Sequence, residues 1–232
     1  MSAITGKSII TRAATLIQDA TGVRWPRTEL LDWLNDGQRE VVLIKPEACV
    51  TNTKMLLTAG MTKQTIPLTS IALIDVTRNM GVDGLTPGDA IRLCSREVLD
   101  SQLPSWHSDA NTAGKIVHYM FDPRDPKTFY VYPKAPATAW HVDLITSSAP
   151  VNTDDTSAVI GVDDIYANAL LDYVLYRAYS KDATFAQNAN LAVAHYTAFS
   201  NSLGVKAAND MSRNPNLAVG PANPNVIGAA QA

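Results

Sequence analysis

Ile116-Val117-His118-Tyr119-Met120-Phe121, then Asp122-Pro123-Arg124-Asp125-Pro126-Lys127, then Thr128-Phe129-Tyr130-Val131-Tyr132 is the stretch that separates this chain from an all-helical one. Its flanks are rich in β-branched and aromatic residues, which suit a pleated, half-buried surface. The linker between them carries Pro123, Pro126, Asp122 and Asp125, concentrated turn chemistry. Two such runs around such a linker predict a β-hairpin. The aspartates read as turn formers, because the calcium-loop pattern D-x-[DN]-x-[DN]-G is absent.

The neighbouring segments continue the same grammar. Met55-Leu56-Leu57 and Lys63-Gln64-Thr65-Ile66 are short strand candidates around a turn at Gly60. Ile71 to Thr77 and Trp140 to Thr146 supply two more. Only Ser95 to Leu103 breaks the pattern, since Arg96-Glu97-Val98-Leu99-Asp100 lacks strand alternation and predicts a short helix. Residues 50–160 are therefore expected to form a small antiparallel β domain.

Helical periodicity surrounds this insert. In residues 5–19, Ile10, Ala13, Ala14 and Ile17 share one face, and Gly22 follows. After Trp25, Pro26 suits the first helical position. Leu30, Trp33, Leu34, Val41 and Ile44 share a broad face, interrupted by Gly37, which costs roughly 1 kcal/mol relative to Ala in a helix interior. Residues 1–49 thus read as a helical hairpin with Trp25 and Trp33 in its core. Helices resume after Gly161, with Asp163 as N-cap and a stripe of Ala167, Leu170, Leu171, Val174, Leu175 and Ala178. Tyr166, Tyr173 and Tyr176 form a second stripe, either the inside of a bundle or a subunit interface. A last helix is expected from Asp182 to Leu203, with Phe185, Ala189, Ala192, Tyr196, Phe199 and Leu203 as its seam. Residues 161–204 complete the bundle. Residues 205–232 lose periodicity at Asn214-Pro215-Asn216, Gly220-Pro221 and Asn223-Pro224-Asn225, and are read as an extended tail. That tail is either a frayed terminus or an arm that orders on a partner. The fold class is α+β: a helical bundle, an inserted antiparallel β domain and a tail.

Composition removes several function classes. The 232 residues carry 19 Lys+Arg and 22 Asp+Glu, a net charge of -3, which argues against general nucleic-acid binding through phosphate contacts. An uninterrupted apolar run of about 18 residues, as a membrane span requires, does not occur. The first residues lack the basic and apolar regions of a secretory leader, so none is expected. Cys49 and Cys94 alone build neither a disulfide scaffold nor a four-ligand zinc site and fit a reducing cytoplasm. Gly6-Lys7-Ser8 has Met1 where a phosphate loop needs its first glycine. His118 and His141 lie in expected strands of the same region and could meet, but a lone strand histidine is normally structural. Asp154-Asp155 and Asp163-Asp164 do not argue for a carboxylate pair, because the second pair serves a cap. No G-x-S-x-G elbow is present. Trp106, after Pro104, is expected in the core. The chain is read as a non-enzyme without cofactor or metal.

Two motifs carry a family resemblance. Arg24-Trp25-Pro26, Glu29 to Glu40 and Lys45-Pro46-Glu47-Ala48 resemble the opening of tailed-phage head–tail adaptor (connector) proteins. Phe121 to Pro133 is similar to their central hairpin, and the element order fits across nearly the whole chain. The resemblance implies a virion protein at the head–tail junction, with about a dozen copies closed into a ring below the portal. It implies that the portal protein, a tail or nozzle protein and passing DNA, without sequence-specific contact, are its partners. It also implies that the C-terminal segment reaches the portal; the tail matches no family residue one by one, and from its own sequence Leu217, Val219, Pro221, Pro224, Val226 and Ile227 are the candidate contacts. Tyr166, Tyr173 and Tyr176 are the candidate subunit interface. A different assembly role, in head completion or as a tail tube, is the alternative; a tube protein assembles through its sheet, an adaptor through its helices.

Overall fold

The computed structural model of the chain describes residues 4–109, 114–154, 158–185 and 187–213. These form a mixed α+β fold with five α-helices and two sheets. The chain divides into two compact units. A helical unit takes the residues up to Gly37, Thr153–Val159 and those from Asp164 onward; a β unit takes Gln38–Asn152 and Ile160–Asp163. The dividing point falls inside the second helix at Gly37, not at its end.

In the helical unit, α1 spans Gly6–Leu16 and buries Ile9, Ile10, Ala13 and Ala14. Thr5 caps it, its side chain accepting from the Ser8 amide. The chain then turns through Gln18 and Gly22, both at positive φ. Asp19 sets this turn: its carboxylate accepts the amides of Val23, Arg24 and Trp25 at 2.9, 2.8 and 2.8 Å. Trp25 is thereby placed in the core, its Nε1 donating to the Ala178 carbonyl at 3.2 Å. Helix α2, Arg27–Ile44, follows Pro26 and contributes buried Leu30, Trp33 and Leu34 to this unit. Its Asn35 clips the returning chain, donating to the Thr153 carbonyl at 3.1 Å and accepting the Thr153 amide at 2.8 Å.

The two C-terminal helices depart from their expected limits. A 3-10 turn over Asp164–Tyr166 leads into a helix over Ala167–Lys181, so Asp163 is not its N-cap. Asp164 instead accepts the Ile4 amide at 3.1 Å. The last α-helix covers Asn188–Arg213. It starts late because Asn188 folds back, its side-chain amide donating to the Asp182 carboxylate at 2.9 Å and carbonyl at 3.3 Å. Phe185 therefore sits in the turn, 61% exposed under the Arg24 guanidinium, and not in the seam. The helix runs through Gly204, because Lys206, Ala207 and Ala208 favour helix enough to carry it past one glycine. Residues 205–213 thus belong to the helix, not to an extended tail.

In the β unit, β1 (Val50–Leu56), β7 (His141–Ser148) and β3 (Ser70–Asn79) form an antiparallel sheet in the order β1-β7-β3. The second sheet is β2 (Lys63–Thr65), β6 (Thr128–Tyr132), β5 (His118–Phe121) and β4 (Arg92–Leu93), in that order. The expected antiparallel β domain is antiparallel at every pairing but one: β4 runs parallel to β5. The reason is a crossover, since the chain leaves β4 through α3 (Arg96–Gln102) before returning. Leu57, Ile66, Val76, Phe129, Val131 and Leu144 belong to one buried cluster of this unit. Trp106 is fully buried beside Leu99 and Met120 in a smaller one, its Nε1 donating to Asp100 Oδ1 at 2.7 Å.

Two close fits make these assignments testable. A Cβ on Gly37 would lie 2.9 Å from Tyr173 Cδ1 and 3.3 Å from Leu170 Cδ2. The glycine that weakens α2 is what lets the Ala167–Lys181 helix approach it. Gly37→Ala should therefore destabilise by about 1 kcal/mol in urea unfolding, despite better helix propensity. Asn79 is 2% exposed and its side chain is saturated. Its Nδ2 donates to the carbonyls of Asp89 and Ile116 at 3.0 and 2.8 Å, and its Oδ1 accepts from the Ile116 amide and Trp140 Nε1 at 3.0 and 2.8 Å. Asn79→Ala should cost on the order of 3 kcal/mol in the same measurement, by stranding buried partners.

Candidate functional site

Two of the four histidines are engaged by local structure. His107 stacks on Trp106 with ring centroids 3.6 Å apart, and its Nδ1 lies 2.9 Å from Thr62 Oγ1. His195 Nδ1 lies 3.0 Å from Asp172 Oδ1, under the parallel ring of Tyr179. His118 is in β5 and His141 in β7, in different sheets. The Nδ1 atoms of both are buried without a hydrogen-bond partner. Among the described residues no three His, Cys, Asp or Glu side chains are grouped to hold a metal ion, and no helix is long and apolar enough to cross a membrane.

The shifted titrations have structural causes of the same kind. Burial, and then the Asp75 carboxylate 2.7 Å away, hold the Tyr119 phenol well above its usual range. The Trp25 amide, with others of the turn, holds Asp19 below the ordinary carboxylate value. Hydrogen bonding to Arg124 lowers Asp122 to about 2. Burial raises the Cys49 thiol. Each of these groups sits in a turn or a packed segment.

Of the expected interface residues, Tyr166 and Tyr173 are 5% and 6% exposed, buried by their own chain. The Tyr173 ring lies 5.2 Å from that of Phe199, and Tyr176 lies 5.0 Å from Tyr196. We label the Ala167–Lys181 helix α4 and the Asn188–Arg213 helix α5; the tyrosine stripe forms the seam between them. Tyr176 is half-buried and Tyr196 is 41% exposed. Leu217, Val219, Pro221, Pro224, Val226 and Ile227 lie outside the described residues.

Two surface features of the β unit were missed by sequence reasoning. The first is an apolar groove of about 340 Å³, lined by Val42, Leu43, Pro46, Ile71, Ala149 and Pro150. Its signal was the run Val41-Val42-Leu43-Ile44, too apolar for a helix with one covered face. The structure buries Val41 and Val42 and leaves Leu43 75% and Ile44 47% exposed. The second is the loop Gly81–Gly88. Gly81 and Gly84 are at φ 70° and 69°. Between them, Asp83 Oδ1 accepts the amides of Leu85 and Thr86 at 2.9 and 3.2 Å. The Leu85 amide, joined by the Thr86 contacts and opposed by burial, keeps the Asp83 carboxyl below its ordinary value. The loop so built leaves Val82 58% and Leu85 70% exposed. Its signal was the Asp83-Gly84 turn dipeptide flanked by apolar residues.

Comparison with known families places this architecture. The model of the family described as SU10 adaptor protein matches residues 4–222, from the first helix through the last. No curated protein sequence matches the chain. The match spans both units, every strand and all five helices. The chain belongs to the SU10 adaptor protein family, a family of phage head–tail adaptors.

Proposed function

We propose that this chain is the ring-forming adaptor between the portal and the tail of a tailed phage. About a dozen copies close into a ring below the portal, dock the tail or nozzle protein and continue the DNA channel. The observation that carries this reading is the family match over residues 4–222. Its task is structural, and the shifted titratable groups are consistent with that, since Asp19, Asp83 and Asp122 are tied to turns, Tyr119 and Cys49 to packed segments and Asp89 to a surface ion pair with Lys115.

The charge balance fits a passive channel. A basic lumen would add phosphate affinity at each step of DNA passage, and a chain of net charge -3 offers no basic excess for it. The helical unit supplies an arm base: α5 carries the chain in regular structure to Arg213. We assign portal binding to the residues beyond it, with Leu217, Val219, Val226 and Ile227 as apolar anchors and Pro221 and Pro224 limiting the conformations open to the free arm. Along the helices, the half-exposed Tyr176 and Tyr196 are the aromatics left for a neighbouring subunit.

Ending the chain at Arg213 tests the arm. The shortened protein should keep the circular dichroism and melting behaviour of the full chain and sediment with portal rings at least tenfold more weakly, a loss of about 1.4 kcal/mol. Undiminished binding would remove the arm from the portal contact.

A further inference from the structure

We propose that neighbouring copies join head-to-tail through the β unit, the Gly81–Gly88 loop of one copy seating Val82 and Leu85 in the Leu43–Ile71–Pro150 groove of the next. The inference rests on the ring reading above and names the surface that closes the ring.

The two features lie at opposite ends of one sheet. β7 is the middle strand, paired to β1 and β3 along its length. The loop is tied to its first residue: the Met80 amide donates to the His141 carbonyl at 2.8 Å, and the His141 amide donates to the Gly81 carbonyl at 2.9 Å. The groove is built at the other end, where Ala72 pairs with Ser147 and the chain continues to Ala149 and Pro150. At about 3.3 Å per residue, the eight-residue strand holds the two features about 25 Å apart. A projection at one end and a recess at the other cannot satisfy each other within one copy. Between copies they make a heterologous contact, the kind that generates a ring when the rotation between copies closes.

The loop is preorganised for this contact. Its two left-handed glycines and the Asp83 carboxylate fix the backbone. Gly84 rests on the His141 ring, where an added Cβ would come within 3.1 Å. Two apolar side chains are thus held out on a rigid loop, so little conformational freedom is lost when they are buried. The groove is apolar and bordered by exposed Leu43 and Ile71, a surface of the kind that marks an interaction site.

Charge agrees with the pairing. Asp83 is the single charged residue between Gly81 and Gly88, and Arg39 is the charged residue among those lining the groove. Arg39 already donates to Asn152 Oδ1 at 2.7 Å, which holds its guanidinium at the rim. Seating the loop brings the acidic apex toward the basic rim, which favours this register over its reverse.

Leu85→Asp and Leu43→Asp each change an exposed residue and should leave the circular dichroism unchanged. Should Leu85→Asp misfold, Val82→Asp takes its place. Sedimentation velocity is run on the full chain alone and with portal rings. The unmodified chain should form oligomers in at least one of these conditions. Each variant should form no contacts between copies in either condition, staying monomeric alone and attaching to portal rings only as separate copies, and an equimolar mixture of the two should give dimers and nothing larger, because each mixed pair retains one intact loop and one intact groove. Variants that assemble like the unmodified chain would overturn this contact while leaving the ring reading standing. A mixture that stays monomeric would also overturn the head-to-tail pairing. An unmodified chain that associates in neither condition would overturn both.

Discussion

The β unit depends on one buried amide. Asn79 ends β3 in the first sheet, and its side chain holds Ile116, which leads into β5 of the second sheet, and Trp140, which leads into β7. Both donors and both acceptor positions are used, so the group is fully paid for in hydrogen bonds and leaves no stray polarity in the core. Its main chain contributes further: the Gly88 amide donates to the Asn79 carbonyl at 2.7 Å, and the Asn79 amide donates to the Asp89 carbonyl at 3.0 Å. Strand ends that an apolar contact would only bring near each other are thereby given one register. The loop Gly81–Gly88 begins and ends on this residue's neighbours, so its exposed apex is held by the same clamp.

The helical unit follows a different rule, close approach through small or planar groups. Gly37 gives α4 room for the Tyr173 ring. The Tyr173, Tyr176, Tyr196 and Phe199 rings then interlock at tilted or edge-on angles, the geometry aromatic quadrupoles prefer. Charged contacts lie at the margins. Arg24 pairs with Asp182 while its guanidinium covers Trp25 and Phe185. Such exposed pairs add little to stability. They orient the turn between α4 and α5, which sets where α5 begins.

Much of this was legible in the sequence because residue type and local pattern agreed there. The hairpin Ile116–Tyr132 follows from its β-branched and aromatic flanks and turn chemistry, the short helix after Ser95 from its lack of strand alternation, and the cores around Trp25, Trp33 and Trp106 from the cost of exposing an indole. The errors have physical reasons. Asn188 caps the turn after α4 with a side chain whose target lies six residues back, which periodicity does not see. Gly204 looks like a helix end but lies within one, because the residues after it are good helix formers. The short β4 is recognised only through its parallel partner, β5. The tyrosine stripe was identified as a face, but its covering by Phe199 and Tyr196 required the fold. The groove escaped because it joins Leu43, Ile71 and Pro150, residues far apart in sequence.

The central claim is that this chain works as a tier between portal and tail. Electron microscopy of purified portal rings, imaged bare and with the chain in excess, tests it most directly. The account predicts an added ring of density on one face of the portal, coaxial with its channel and made of repeated copies of the chain. Portal rings that remain bare in the presence of excess, folded chain would contradict it.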